Sequence, residues 1–266
     1  MSIDVNPVKM RYRDSINGVN VMNKFETKKL GLLFYTAGRF EGLKADAGST
    51  IEFVQSDDQY IMPTQNDVSI IRDMKTAWYA INKDSPLTIE SYKLAHENMS
   101  ASSNTRNTGE LRKRPVQVVF GGGLRTWVAD CPEVSDDIFQ SKIDEAVQSD
   151  LDYRANAARL FGNIAKLQPF PDGNKRTALI VANRLLIPHD EVMLIPYEDN
   201  AYQLFMDQLE DFYRGDSTLD EFGVQFQQNI VSVDSLEITK PFGRIMDLKA
   251  QTRTYDEISR EHLRDR

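Results

Sequence analysis

The chain has 266 residues, 41% of them hydrophobic and 27% charged, with a formal net charge of −8. That balance marks an ordinary globular chain and argues against broad electrostatic attraction to DNA or RNA. One cysteine, Cys131, excludes an intrachain disulfide framework, and with only three histidines beside it a structural zinc site is not expected.

No apolar run approaches bilayer-crossing length, and the N-terminus lacks the basic-then-apolar layout of a secretory signal. A soluble, cytoplasmic protein without membrane contact is therefore expected. Residues 1–24 read as a polar, irregular arm. Leu30, Leu33, Phe34 and Phe40 recur at helical spacing over 25–42, and Gly42 is the stop signal. A second helix is predicted over 66–82, with Asn66 as its cap and Val68, Ile71, Met74, Trp78 and Ile81 on one apolar face. A third, over 88–99, begins at a Thr88 cap and buries Ile89, Tyr92, Leu94 and Ala95.

One hairpin follows. "VQVVF" (116–120) and "RTWVA" (125–129) flank three glycines that are free to take positive φ. Helices are then predicted over 135–149, capped by Ser135, and over 152–167, rich in alanine and closely packed. Another starts at Asn174 with Ala178, Val181, Ala182 and Leu185 inward, and two more cover 200–215 and 218–231. Beyond Asp234 the chain turns polar. The sum is a mainly α fold, a helical bundle with one small β-hairpin.

The chemistry concentrates in "QPFPDGNKR" (168–176), immediately before a helix. The first NH groups of a helix lack internal partners and face the positive end of its dipole, so they suit an anion. Gly173 allows close backbone approach, Asn174 shapes the turn, and Lys175 and Arg176 add cations, the arginine able to grip phosphate oxygens in pairs. Asp172 suits Mg²⁺, which takes one or two carboxylates plus substrate phosphates. Pro169 and Pro171 stiffen the loop, and Phe170 between them is read as a core anchor. Elsewhere, Cys131 reads as a small buried residue and His96 as a packed, hydrogen-bonded one. His189 lies in a loop after the motif helix. The basic stretch 106–114 reads as a solvated loop or hairpin edge.

"QPFPDGNKRTA" resembles the signature of the Fic, or Fido, family, a His-x-Phe-x-Asp/Glu-Gly-Asn loop leading into a basic helix start. "TIESYKLAHENM" is similar to the helix that precedes the family's flap, and "TGELRKRPVQVVF" to the stretch that opens it. The likeness covers roughly residues 28–232, leaving an arm at 1–27 and a polar tail at 233–266. It implies a Fic-like helical bundle with a hairpin flap, and in most members transfer of AMP from ATP to a hydroxyl of a target protein. On that reading Asp172 holds Mg²⁺, and the NH groups of Gly173, Asn174 and Lys175 form an anion hole. Arg176 binds phosphate. Val116, Gln117, Val118 and Val119 hold a target segment by strand addition. A homodimer is also compatible with such domains.

Three departures bear on activity. Gln168 stands at the place of the family's histidine base, and glutamine cannot take a proton; a missing general base costs about 10²–10⁴-fold. Lys175 replaces the commoner glycine, a pattern resembling the death-on-curing branch, which transfers phosphate. Leu179 stands where many AMP-transferring members carry a second arginine. The readings left open are therefore an impaired protein adenylyltransferase, a phosphate-transferring toxin-like protein, and a catalytically dead nucleotide-binding module. "TAGRFEG" (36–42) resembles the family's inhibitory helix and offers Glu41, but the usual partner of that glutamate is the arginine missing at 179.

Overall fold

The computed structural model describes residues 24–81, 87–102, 108–120, 126–131, 133–239 and 244–247. Among these, helices dominate. Helix α1 (Lys24–Ala37) runs into a 3-10 turn, Gly38–Glu41, and α2 spans Ala47–Ser56. Helices α3 (Gln65–Ala80) and α4 (Ile89–Glu97) lead to a hairpin of β1 (Val116–Phe120) and β2 (Trp127–Cys131). Then come α5 (Asp136–Ala146), α6 (Tyr153–Leu167), α7 (Asn174–Asn183), β3 (Glu191–Met193), α8 (Asp199–Arg214) and α9 (Leu219–Phe226). Short strands β4 (Ile230–Ser232), β5 (Leu236–Thr239) and β6 (Arg244–Asp247) complete the described chain. No helix among the described residues is long and apolar enough to cross a membrane.

The hairpin lies where the alternation and glycines put it, though β2 starts two residues later than predicted, pairing Phe120 with Trp127 and Val116 with Cys131. The intervening glycines lie outside the described residues, as do most of the N-terminal arm and the end of the polar tail. Two further two-stranded antiparallel sheets, β3–β4 and β5–β6, were not expected from sequence. Nor was α2, which Asp46 caps by accepting from the Ser49 amide at 2.7 Å. The cap of α3 is Thr64, whose hydroxyl accepts from the Asp67 amide at 3.0 Å, not Asn66. Thr88 precedes α4 without capping it; the Ile89 amide is taken instead by Gln140 Oε1 at 3.3 Å.

Helix α6 is the centre of the bundle. Ala157, Ala158, Leu160, Phe161, Ile164 and Ala165 are all fully buried, because α5, α7 and α9 cover it on different sides. Gly162 permits the approach of α9: a Cβ there would sit 2.6 Å from the Phe222 ring. That ring is stacked on Phe212 at 4.9 Å and cannot retreat freely. Gly162→Ala is expected to lower stability by about 1–3 kcal/mol despite alanine's better helix propensity, an overpacking cost. Denaturant melts of the two proteins test this, and an alanine variant as stable as the parent would show that α9 can yield.

The turn Gly38–Glu41 is held from outside the bundle. Arg39 donates to the carbonyls of Pro196 (3.1 Å) and Tyr197, pairs with Asp199 at 2.9 Å, and lies 4.2 Å over the Tyr202 ring. Phe40 packs on Phe205. This anchorage carries Glu41 toward the start of α7.

Candidate active site

The loop joining α6 to α7 begins at Gln168, which closes α6 in the left-handed region (φ 51, ψ 58). A non-glycine residue there costs about 1–3 kcal/mol unless its surroundings hold it. Here they do. Arg112 turns inward to cap the α6 C-terminus, donating from Nε to the Gln168 carbonyl at 2.6 Å, while its own amide bonds the Pro169 carbonyl at 3.0 Å. So the part of the 106–114 stretch that is described contains a buried helix cap at Arg112, not only a solvated edge. The Gln168 side chain donates to the carbonyl of Ala165 (2.6 Å) and to the hydroxyl of Tyr213 (3.0 Å), and accepts from Asn174 Nδ2 (3.0 Å). Its hydrogen-bonding capacity is largely spent on the scaffold.

Asn174 braces the loop from the other end. Its Oδ1 accepts from the Phe170 amide and its Nδ2 donates to the Phe170 carbonyl, both at 2.8 Å. Phe170 is fully buried, stacked on His96 (4.1 Å, 6°) and edge-on to Phe139. His96 also bonds the Asp172 carbonyl through Nε2 and receives the Gly109 amide at Nδ1, both at 2.8 Å. Burial pulls its pKa below the usual histidine value, against the opposing pull of Asp172.

Gly173 opens α7 at φ 70, a conformation glycine takes without penalty, and no side chain caps the helix. Its amide donates to Asp172 Oδ1 at 2.7 Å. The Lys175 ammonium lies 5.9 Å from the centre of the Phe40 ring and forms no ion pair with a carboxylate among the described residues. Burial lowers its pKa, against the pull of Glu41, Cys131 and Asp172.

Arg176 behaves differently from Lys175. It is 1% exposed, and its Nε lies 2.9 Å from Glu41 Oε1. The contact is ionic: the angle at Nε does not meet hydrogen-bond geometry. Nη1 donates to Ser102 Oγ at 3.1 Å and lies 3.8 Å from Asp73 Oδ2. Asp73 is itself held by the amides of Ala101 (2.6 Å) and Ser102 (2.9 Å). Leu179 is buried in the core. Glu41 thus meets Arg176, with an apolar side chain at 179. Asp73 and Ser102 were missed in the sequence; the available signal was a carboxylate between the buried positions Ile70, Ile71 and Met74 of α3.

A cleft of about 340 Å³ opens beside these groups. Gln168 and residues 171–175 form one wall, Phe40 and Glu41 another, and residues 116–119 of β1 the third. Among the described residues strand β1 pairs only with β2. Arg176 lies behind the cleft: a Cβ on Gly173 would be 3.6 Å from its Nη2. Among the described residues no group of three His, Cys, Asp or Glu side chains could enclose a metal ion. Cys131 is buried, and His189 stacks on Tyr153 away from the cleft lining.

The Fic/DOC family model matches residues 86–186, the stretch from just before α4 through α7. Three solved structures share the fold. A Fic-domain-containing signalling protein from Bacteroides thetaiotaomicron aligns at TM-score 0.56 and 17% identity, over 84% of this chain and 91% of that one. A Fic family protein from Desulfovibrio desulfuricans aligns at TM-score 0.58 and 14% identity, over 84% and 68%. Fic-1 from C. elegans aligns at TM-score 0.62 and 17% identity, over 86% and 68%. No curated protein sequence matches the chain significantly.

Proposed function

We propose that the cleft binds a magnesium-bound nucleoside triphosphate, ATP foremost, and that the protein is a nucleotide-transfer protein of the Fic type held at low activity. The observation that carries this is the N-terminus of α7, without a side-chain cap, opening beside Lys175, an ammonium without a carboxylate ion pair among the described residues, in the same cleft. An open helix start and a partly desolvated cation together favour a phosphate chain. The residues fit a magnesium ion as well. Asp172 supplies one half-buried carboxylate beside the cleft, and Mg²⁺ commonly takes one or two, filling its other positions with phosphate oxygens and water. When bound, the ion would offset charge on the phosphates.

The second edge of β1, unpaired among the described residues, supports a target segment laid along residues 116–119 by strand addition, presenting a hydroxyl to the phosphates. AMP transfer requires that hydroxyl to lose its proton as it attacks. Gln168 cannot accept it, and Glu41 is engaged with Arg176. Transfer is therefore slow in this state. Transfer of phosphate is the second reading, favoured by Lys175, which brings a cation to a turn otherwise formed from backbone.

Calorimetric titration with ATP and Mg²⁺ tests the binding step. The unaltered protein should bind in a magnesium-dependent manner, and Lys175→Ala should weaken binding about tenfold or more, the scale of one charge-assisted hydrogen bond. No heat and no magnesium dependence in the unaltered protein would refute the proposal.

A further inference from the structure

We infer that His96 is a positioning residue for the turn that opens α7, fixing the plane of the Asp172–Gly173 peptide and with it the Asp172 carboxylate that receives the Gly173 N–H; its link to ligand binding rests on the reading that the cleft holds a nucleotide. The geometry determines the tautomer. The Gly109 amide can only donate, so His96 Nδ1 is the acceptor at 2.8 Å, and Nε2 carries the proton given to the Asp172 carbonyl at 2.8 Å. Within one planar peptide the carbonyl and the following N–H point in opposite directions. Drawing the Asp172 carbonyl toward His96 therefore turns the Gly173 N–H the other way, to where the Asp172 carboxylate receives it at 2.7 Å.

The ring itself has little freedom. It is 1% exposed, stacked on the buried Phe170, and its Cδ2 and Nε2 lie 3.6 Å from where a Gly173 Cβ would be. Gly173 at φ 70 has no side chain to lock its own orientation. The turn is thus held from below by the imidazole. The same ring ties it to Gly109, in the segment that leads into β1, so the flap entry and the phosphate turn share one pin.

Two variants separate positioning from packing. His96→Phe keeps an aromatic ring against Phe170 but removes both nitrogens. His96→Gln offers one donor and one acceptor at similar reach. Full-length proteins labelled with [¹⁵N]glycine report the Gly173 amide directly, and calorimetry with ATP and Mg²⁺ reports the cleft. In His96→Phe we expect a shifted Gly173 resonance, amide exchange about tenfold faster, and ATP affinity about tenfold weaker, the scale of one neutral hydrogen bond. His96→Gln should recover most of each. Should the phenylalanine variant not fold, His96→Asn, too short to span both partners, takes its place beside His96→Gln. A variant lacking the nitrogens that melts lower yet keeps the Gly173 resonance, its exchange and the affinity would overturn the inference. If the unaltered protein binds no ATP, the nucleotide reading falls, while the Gly173 amide still decides the role of His96.

Discussion

Gln168→His is expected to raise transfer of label from ATP to protein by about 10²–10⁴-fold while lowering stability, and the two effects have separate causes. The gain comes from a general base on the cleft wall, at the position where Gln168 now lies. The loss comes from the scaffold. Glutamine donates to the Ala165 carbonyl and the Tyr213 hydroxyl and accepts from Asn174 at the same time. A neutral imidazole has one donor and one acceptor, so at least one of these three hydrogen bonds is lost, at about 0.5–1.5 kcal/mol. Running the assay with label in the α- and in the γ-phosphate, separately, distinguishes AMP transfer from phosphate transfer. Equal incorporation with and without the histidine would show that the glutamine was never the bottleneck.

Glu41→Ala should act on binding. In the structure Arg176 is buried behind the cleft and neutralised by Glu41, with Asp73 further away at 3.8 Å. An arginine so paired attracts phosphate weakly. Removing Glu41 leaves Ser102 and the more distant Asp73 near it, and the free protein should lose about 1.5–3 kcal/mol, the scale of one interaction with a charged group. Affinity for ATP with Mg²⁺ should rise about tenfold, which is 1.4 kcal/mol. The signature is a crossing: the variant melts below the parent without ligand and regains more with it. A variant that binds no tighter than the parent would make Glu41 a packing residue.

The 168–175 wall of the cleft was legible in sequence because it is contiguous. Pro-rich loop, Gly173, Asn174 and the helix start are neighbours along the chain, and short-range sterics and helix-end hydrogen bonding shape such a unit wherever it sits. The hairpin β1–β2 was legible for the same reason, through alternation and a glycine turn. Cap assignments were weaker. Thr64 and Asn66 are both good capping residues, and which one serves depends on where the backbone leaves the extended region. The pairs β3–β4 and β5–β6 have strands of three or four residues, too short to leave a periodic signal. Helix α2 was missed in a stretch where no long apolar repeat stands out.

The sequence alone therefore determined the helical class, the tight turn that opens α7 and the glutamine at its start. Each depends on residues within one or two helical turns of one another. Only the tertiary structure decided that Arg176 faces Glu41 and Asp73 rather than the cleft, that Gln168 is tied to Tyr213, and that His96 reaches the Asp172 carbonyl. Those contacts join elements far apart in the chain. What selects them is which buried polar groups can satisfy one another once the apolar faces have packed, and that leaves no local mark in the sequence.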